Sequence, residues 1–230
     1  MRTIMWCGAL CLAASTGFAE VSKDQVKRLN ESATILTELR DAPDKGIPAD
    51  LWEKARCVVV IPSLKKAAFV VGGEYGAGVM SCRHGNDWSA PVFMELAKGS
   101  WGLQIGAEQV DLVLIVMNQR GVDKLLQDKV SLGTDASVAA GPVGRAATAA
   151  TDAQMHAEML AYSRAQGLFA GIDISGGVLK PDKEANQHAY GPDNSPQDLI
   201  SGTGHVVVPA AARSFVRSLN RDVRATTGRK

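Results

Sequence analysis

Net charge is what this sequence most plainly lacks. Its 230 residues carry 25 Lys and Arg against 24 Asp and Glu, a formal balance of +1. A general polyanion binder concentrates a much larger basic excess, so no nucleic-acid partner is expected. Histidine is scarce, with four residues. His84, His156, His188 and His205 have no second ligand type at the usual metal spacing, and no metal or cofactor is expected. A Gly-x-Ser-x-Gly elbow and a phosphate-binding P-loop are both missing, which demotes the common hydrolase and nucleotidase classes. Asp111, Asp173, Glu95 and Glu108 could supply an acid/base pair, but nothing in the sequence sets their separation. The reading is therefore non-enzymatic. Aromatic residues are also few, at 5%.

The chain has no apolar run of membrane-spanning length. Its first 19 residues read instead as a signal peptide: Arg2 as the positive start, residues 4–14 as the apolar stretch and Gly17-Phe18-Ala19 as the cleavage site. Cleavage after Ala19 removes one basic group and leaves 24 against 24. On this reading the protein is exported to a bacterial periplasm or outer envelope, or is secreted. Residues 20–230 then form a single domain with its core at 48–202. Four cysteines fall to Cys57 and Cys82. In an oxidising compartment an even pair invites a disulfide. The rival is two buried thiols acting as small hydrophobes.

What is present is concentrated between residues 57 and 118. Short apolar β-branched runs at 58–61, 67–71 and 110–116 alternate with glycine-dense segments, as in strands that bend sharply and pack closely. Pro62 to Lys66 reads as a connection between the first two. Gly72-Gly73-Glu74-Tyr75-Gly76-Ala77-Gly78 could pass for a dinucleotide loop, but such a loop needs a helix directly after it. Here a short strand and the polar turn at Arg83 to Asp87 follow, so the glycines serve a twist or barrel corner. Residues 155–164 read as a strand with a hairpin partner at 167–174.

Helices flank this sheet. Residues 21–40 carry an apolar stripe at Val26, Leu29, Ala33, Leu36 and Leu39, opened by Ser22 with Gln25 three residues on. Residues 210–224 carry Ala212, Val216, Leu219 and Val223 on one line, and Arg213, Arg217, Arg221 and Arg224 on a second. One use of that last helix is docking on the sheet with a solvated basic edge. The other is contact with anionic lipid or an acidic partner. The expected class is α+β: a strongly curved antiparallel sheet or small β-barrel with peripheral helices.

Several segments occur in an order that resembles the SYLF family. They are residues 70–79 (VVGGEYGAGV), Trp88-Ser89-Ala90-Pro91, residues 102–107 (GLQIGA), residues 111–117 (DLVLIVM), residues 132–145 (LGTDASVAAGPVGR) and residues 161–172 (AYSRAQGLFAGI). The resemblance spans residues 48–202. It implies lipid binding, to phosphoinositides in eukaryotic members, and association with actin filaments in some members. Together with the signal peptide it suggests a bacterial exported member that meets anionic phospholipid or a membrane surface, and the cations read from the sequence for that contact are Lys65, Lys66, Arg145, Arg164, Arg213, Arg217 and Arg221. The alternatives are a structural or host-facing protein-interaction antigen, or an envelope hydrolase built on His156, Glu158 or Asp173.

Overall fold

The computed structural model describes residues 21–42, 46–68, 71–101, 106–143, 154, 156–165, 168–202, 206 and 208–220. The candidate leader at 1–19, Arg145, His205 and Arg221 lie outside these residues.

The first helix, α1 (Lys23–Asp41), begins as its sequence predicts. Ser22 Oγ accepts the Gln25 N–H at 3.2 Å, and Gln25 Oε1 accepts the Ser22 N–H at 2.7 Å. This reciprocal cap satisfies two donors that the first turn leaves unpaired. The buried stripe is Leu29, Ile35, Leu36 and Leu39, with Val26 and Ala33 only partly covered. A short helix α2 (Ala49–Lys54) leads into the sheet.

Strands β1 (Cys57–Ala68), β2 (Val71–His84), β4 (Val92–Trp101) and β5 (Gly106–Val116) make its centre, with β3 (Asp87–Trp88) folded back on β2. Helix α3 (Gln119–Leu125) and the short strands β6 (Val130–Ser131) and β7 (Val138–Ala140) follow, then β8 (Met159–Ala165), β9 (Leu168–Gly171) and β10 (Gly177–Pro181). Among the described residues the order is β6-β10-β4-β2-β1-β5-β8-β7, with β3 added on β2 and β9 on β8. Pairing is antiparallel except for β7 against β8. The sheet curves into a half-barrel, and its path ends at two short edge strands. Helix α4 (Lys183–Tyr190) packs against β4, and α5 (Pro196–Ser201) against β2 and β4. The last helix, α6 (Arg213–Asn220), follows a 3-10 turn at Ala210–Ala212 and packs beside α1.

Two sequence expectations change here. The segment from Pro62 to Lys66 is not a connection. β1 runs through it as one strand, bent where its register slips between Ile61 and Leu64 against β5. Such a bulge raises local twist and turns the strand. β2 answers the bend with glycine: a Cβ on Gly78 would lie 2.8 Å from Ile61 Cα, and one on Gly76 3.0 Å from Leu64 Cδ1. These glycines are strand interior that lets two backbones approach, in keeping with the twist read from the sequence. The second change is β8, which starts at Met159, while Gln154 and His156 have helical backbone. The residue before the strand, Glu158, is buried by its partners rather than placed by alternation.

Residues 57–61 are wholly buried, as are Leu112, Leu114, Ile115 and Val116 on β5. Burial on both faces explains their unbroken apolar runs. Cys57 and Cys82 face each other in register on β1 and β2 and are joined by a disulfide. Of the two alternatives for this pair, the structure has the bridge. At the same end Arg40 lies 4.0 Å over the Trp52 ring, Arg83 lies 4.6 Å over Trp88, and the two indoles are 6.2 Å apart. Arg40 also donates to the Leu219 carbonyl at 2.7 Å, tying α6 to this stack.

Candidate functional site

Of the cationic residues singled out by sequence, the structure describes the side chains of Lys65, Arg164, Arg213 and Arg217. Arg164, on β8, reaches Glu38 of α1 at 2.5 Å and Asp111 of β5 at 3.3 Å. Two carboxylates hold its guanidinium, so it serves the fold. Asp111 has a second task, accepting the Ser63 N–H at 2.9 Å at the β1 bulge. The chain of contacts Ser63–Asp111–Arg164–Glu38 thus runs from the bend in β1 across β5 and β8 to α1.

Lys65 is exposed on β1 just beyond the bulge. It lines a pocket of about 260 Å³ with Lys27, Glu31, Ser63 and Tyr75. Tyr75 is half exposed, and its hydroxyl donates to Glu95 Oε1 at 3.1 Å. Lys180 holds the other Glu95 oxygen at 3.0 Å. Partial burial, together with the Glu95 carboxylate, raises the Tyr75 phenol above its ordinary value, so it stays neutral. Lys66 is paired in register with Glu74 on β2 and Glu108 on β5.

At the other end of α1 a groove of about 610 Å³ separates it from α6. Its α1 wall is Asn30, Ala33, Thr34, Thr37 and Glu38, and its α6 wall is Ser214, Arg217 and Ser218. Apart from Glu38 and Arg217 these side chains are short. Thr34 and Thr37 donate to carbonyls of their own helix, Asn30 and Ala33, and Ser214 Oγ donates to Asn30 Oδ1 at 3.0 Å. The apolar side of α6 is spent inward, with Phe215 and Leu219 buried. Arg213 and Arg217 stand exposed on the other side. Of the two uses read for this helix, docking on the body of the protein is what its apolar face does.

The carboxylates considered for chemistry have structural partners. Glu158 is buried, and Lys124 Nζ reaches both its oxygens, at 2.8 and 2.7 Å. The Ser137 N–H donates to it at 2.9 Å. Asp173 accepts from the N–H and hydroxyl of Ser175, and these bonds hold its carboxyl below the usual range. His84 and His188 are exposed, and no group of three or more His, Cys, Asp or Glu is placed to hold a metal among the described residues. The groove between the helices carries no sequence signature. Only the short side chains of residues 30, 33, 34 and 37, one face of a helix, point to it in retrospect.

A family model described as "Ysc84: Las17-binding protein actin regulator" matches residues 97–222, which includes α6. Protein YSC84 of Saccharomyces cerevisiae is 36% identical over 180 residues, covering 76% of this chain and 38% of the relative. SH3 domain-containing YSC84-like protein 1 of Mus musculus is 34% identical over 202 residues, covering 86% of this chain and 58% of the relative. LAS seventeen-binding protein 3 of Saccharomyces cerevisiae is 36% identical over 163 residues, covering 69% and 35%. The chain therefore spans about half the length, or less, of the curated relatives it matches. These are eukaryotic proteins named for SH3 domains, for YSC84 and for binding LAS seventeen, a description of binding proteins and regulators rather than enzymes. They correct the expectation of a bacterial periplasmic, envelope or secreted protein, since the relatives matched over most of this chain are fungal and animal proteins.

Proposed function

The chain belongs to the Ysc84 family, and on that premise we propose that it is a non-enzymatic protein-interaction domain whose partner is actin. The observation that carries this reading is the outward pair Arg213 and Arg217 on α6, a helix inside the family match. Two cations one turn apart on a rigid helix suit an acidic protein surface and bring salt-sensitive association. The test is high-speed sedimentation with actin filaments at low and at physiological salt. The wild-type protein is expected in the pellet. The double variant Arg213→Glu, Arg217→Glu is expected to need at least fivefold more filament for the same fraction bound. Wild-type protein that stays in the supernatant at low salt rejects the reading.

A second reading, contact with anionic phospholipid, is favoured by Lys65 standing exposed beside Lys27. With Arg164 committed to Glu38 and Asp111, it rests on Lys65, Arg213 and Arg217. Sedimentation with vesicles of rising anionic fraction tests it. Binding indifferent to lipid charge rejects it.

A further inference from the structure

The groove between α1 and α6 has a charge balance that its lining alone conceals. Glu38 and Arg217 both border it. Glu38, however, is already held by Arg164 at 2.5 Å. Arg217 donates its Nε–H to the Arg213 carbonyl at 3.2 Å, and no carboxylate among the described residues reaches its guanidinium. The groove therefore offers a cation with donors to spare, above walls whose hydroxyls are largely satisfied by their own helices. From Asn30 to Glu38 the α1 wall runs for about 12 Å at 1.5 Å per residue. That length matches about four residues of extended chain.

We propose that this groove is the seat of a short acidic segment of the protein partner. The segment lies along the Ala33–Thr34–Thr37 wall with one carboxylate on Arg217. Charge complementarity chooses the occupant: a basic segment would meet the Arg217 charge while Glu38, the carboxylate lining the groove, is already paired with Arg164, and an apolar one would strip water from Asn30 and Arg217 without replacing their hydrogen bonds. The proposal rests on the reading of the chain as a protein-binding domain and adds the place and chemistry of the contact.

The experiment is fluorescence polarisation with a labelled peptide of four alternating Asp and Glu residues flanked by Gly and Ser, with the Asn/Gln version as the neutral probe. Both are titrated with the full chain. The acidic probe is expected to bind saturably and at least tenfold more tightly than the neutral one. Arg217→Gln, a change at an exposed position, and Thr34→Trp, which fills the groove from an exposed position, are each expected to weaken it at least tenfold. Lys129→Glu, an exposed lysine that does not line the groove, is expected to leave it unchanged. Melting curves of each variant show whether it is folded. An acidic probe that does not saturate on the wild-type chain overturns the proposal, as does one whose binding ignores both groove variants. Filament sedimentation of the wild type is read separately. If filaments still pellet the protein, the groove alone is wrong; if they do not, the function reading fails with it.

Discussion

Asp111 accepts the backbone N–H of Ser63 at 2.9 Å, and Ser63 is the only non-glycine residue with positive φ, 54°, among the described residues. The side chain on β5 thereby fixes the bend in β1, and Arg164 neutralises the same carboxylate from β8. Left-handed backbone costs a non-glycine residue roughly 1 kcal/mol. The two residues should respond in opposite directions. Asp111→Ala removes a charge-assisted bond and a partner of Arg164, and is expected to cost about 2 kcal/mol. Ser63→Gly relieves the backbone and is expected to be neutral or slightly stabilising. Urea denaturation of both variants checks this. An Asp111→Ala variant as stable as the wild type would mean that the bulge does not depend on Asp111.

The same pairing explains what the sequence could and could not disclose. The curved sheet, the cap at Ser22 and the strand at residues 110–116 follow from periodicity and local chemistry, which are properties of neighbouring residues. The bulge in β1 is different. Pro62-Ser63 reads as a turn because proline and serine favour turns locally, and the side chain that overrides this lies 48 residues away. Arg164 reads as a lipid-contact candidate for a related reason. Its two carboxylates come from α1 and β5, and nothing local in residues 161–172 announces them. Arg213 and Arg217 are exposed while Phe215 and Leu219 are buried, a division that helical spacing alone makes legible. The half-barrel, rather than a closed barrel, is set by how β6 and β7 terminate the sheet, and these strands are two and three residues long.

The disulfide closes a separation of 25 residues between strands that already pair in register at Cys57 and Cys82. Its contribution is therefore expected through the unfolded chain, at about 3–4 kcal/mol by the loop-entropy relation. The double variant Cys57→Ala, Cys82→Ala should lose stability on that scale and keep its far-ultraviolet circular dichroism, since Cys82 N–H still has Ser89 Oγ and Arg83 N–H still has the Arg56 carbonyl. Chemical denaturation with and without a thiol reductant measures the same quantity in the native sequence. An unchanged midpoint on reduction would show that the bridge adds nothing.

Glycines on the central strands should divide sharply. At Gly78 an added methyl meets the backbone of Ile61, which cannot move without shifting the whole β1 ladder. At Gly99 on β4 nothing lies within 4 Å of the position. Gly78→Ala is expected to cost about 2–3 kcal/mol through overpacking. Gly99→Ala is expected to be neutral or mildly stabilising, because it lowers the entropy of the unfolded chain. Thermal melts of the two variants side by side test the assignment. A well-tolerated Gly78→Ala would contradict the close approach of β1 and β2.

Glu158 links acid sensitivity to the packing of α3, β7 and β8. Burial alone would raise its pKa, but the Lys124 ammonium and the Ser137 N–H outweigh burial and hold the carboxyl below its ordinary value. A carboxyl with a depressed folded-state pKa stabilises the native state fully above its unfolded value, about 4.3. That contribution fades as pH falls toward and through the lower folded-state value, when the native carboxylate takes up its proton. Asp173 and Asp198, each held low by serine donors, act in the same direction. Denaturation midpoints are therefore expected to fall steeply below about pH 4. Glu158→Gln should cost about 2 kcal/mol or more at neutral pH, because it leaves the partly buried Lys124 without its counter-charge. It should also flatten the acid limb, since one of the groups that binds a proton differently in the two states is gone. A variant with the wild-type acid slope would place the acid sensitivity elsewhere and leave Lys124–Glu158 as a structural contact only.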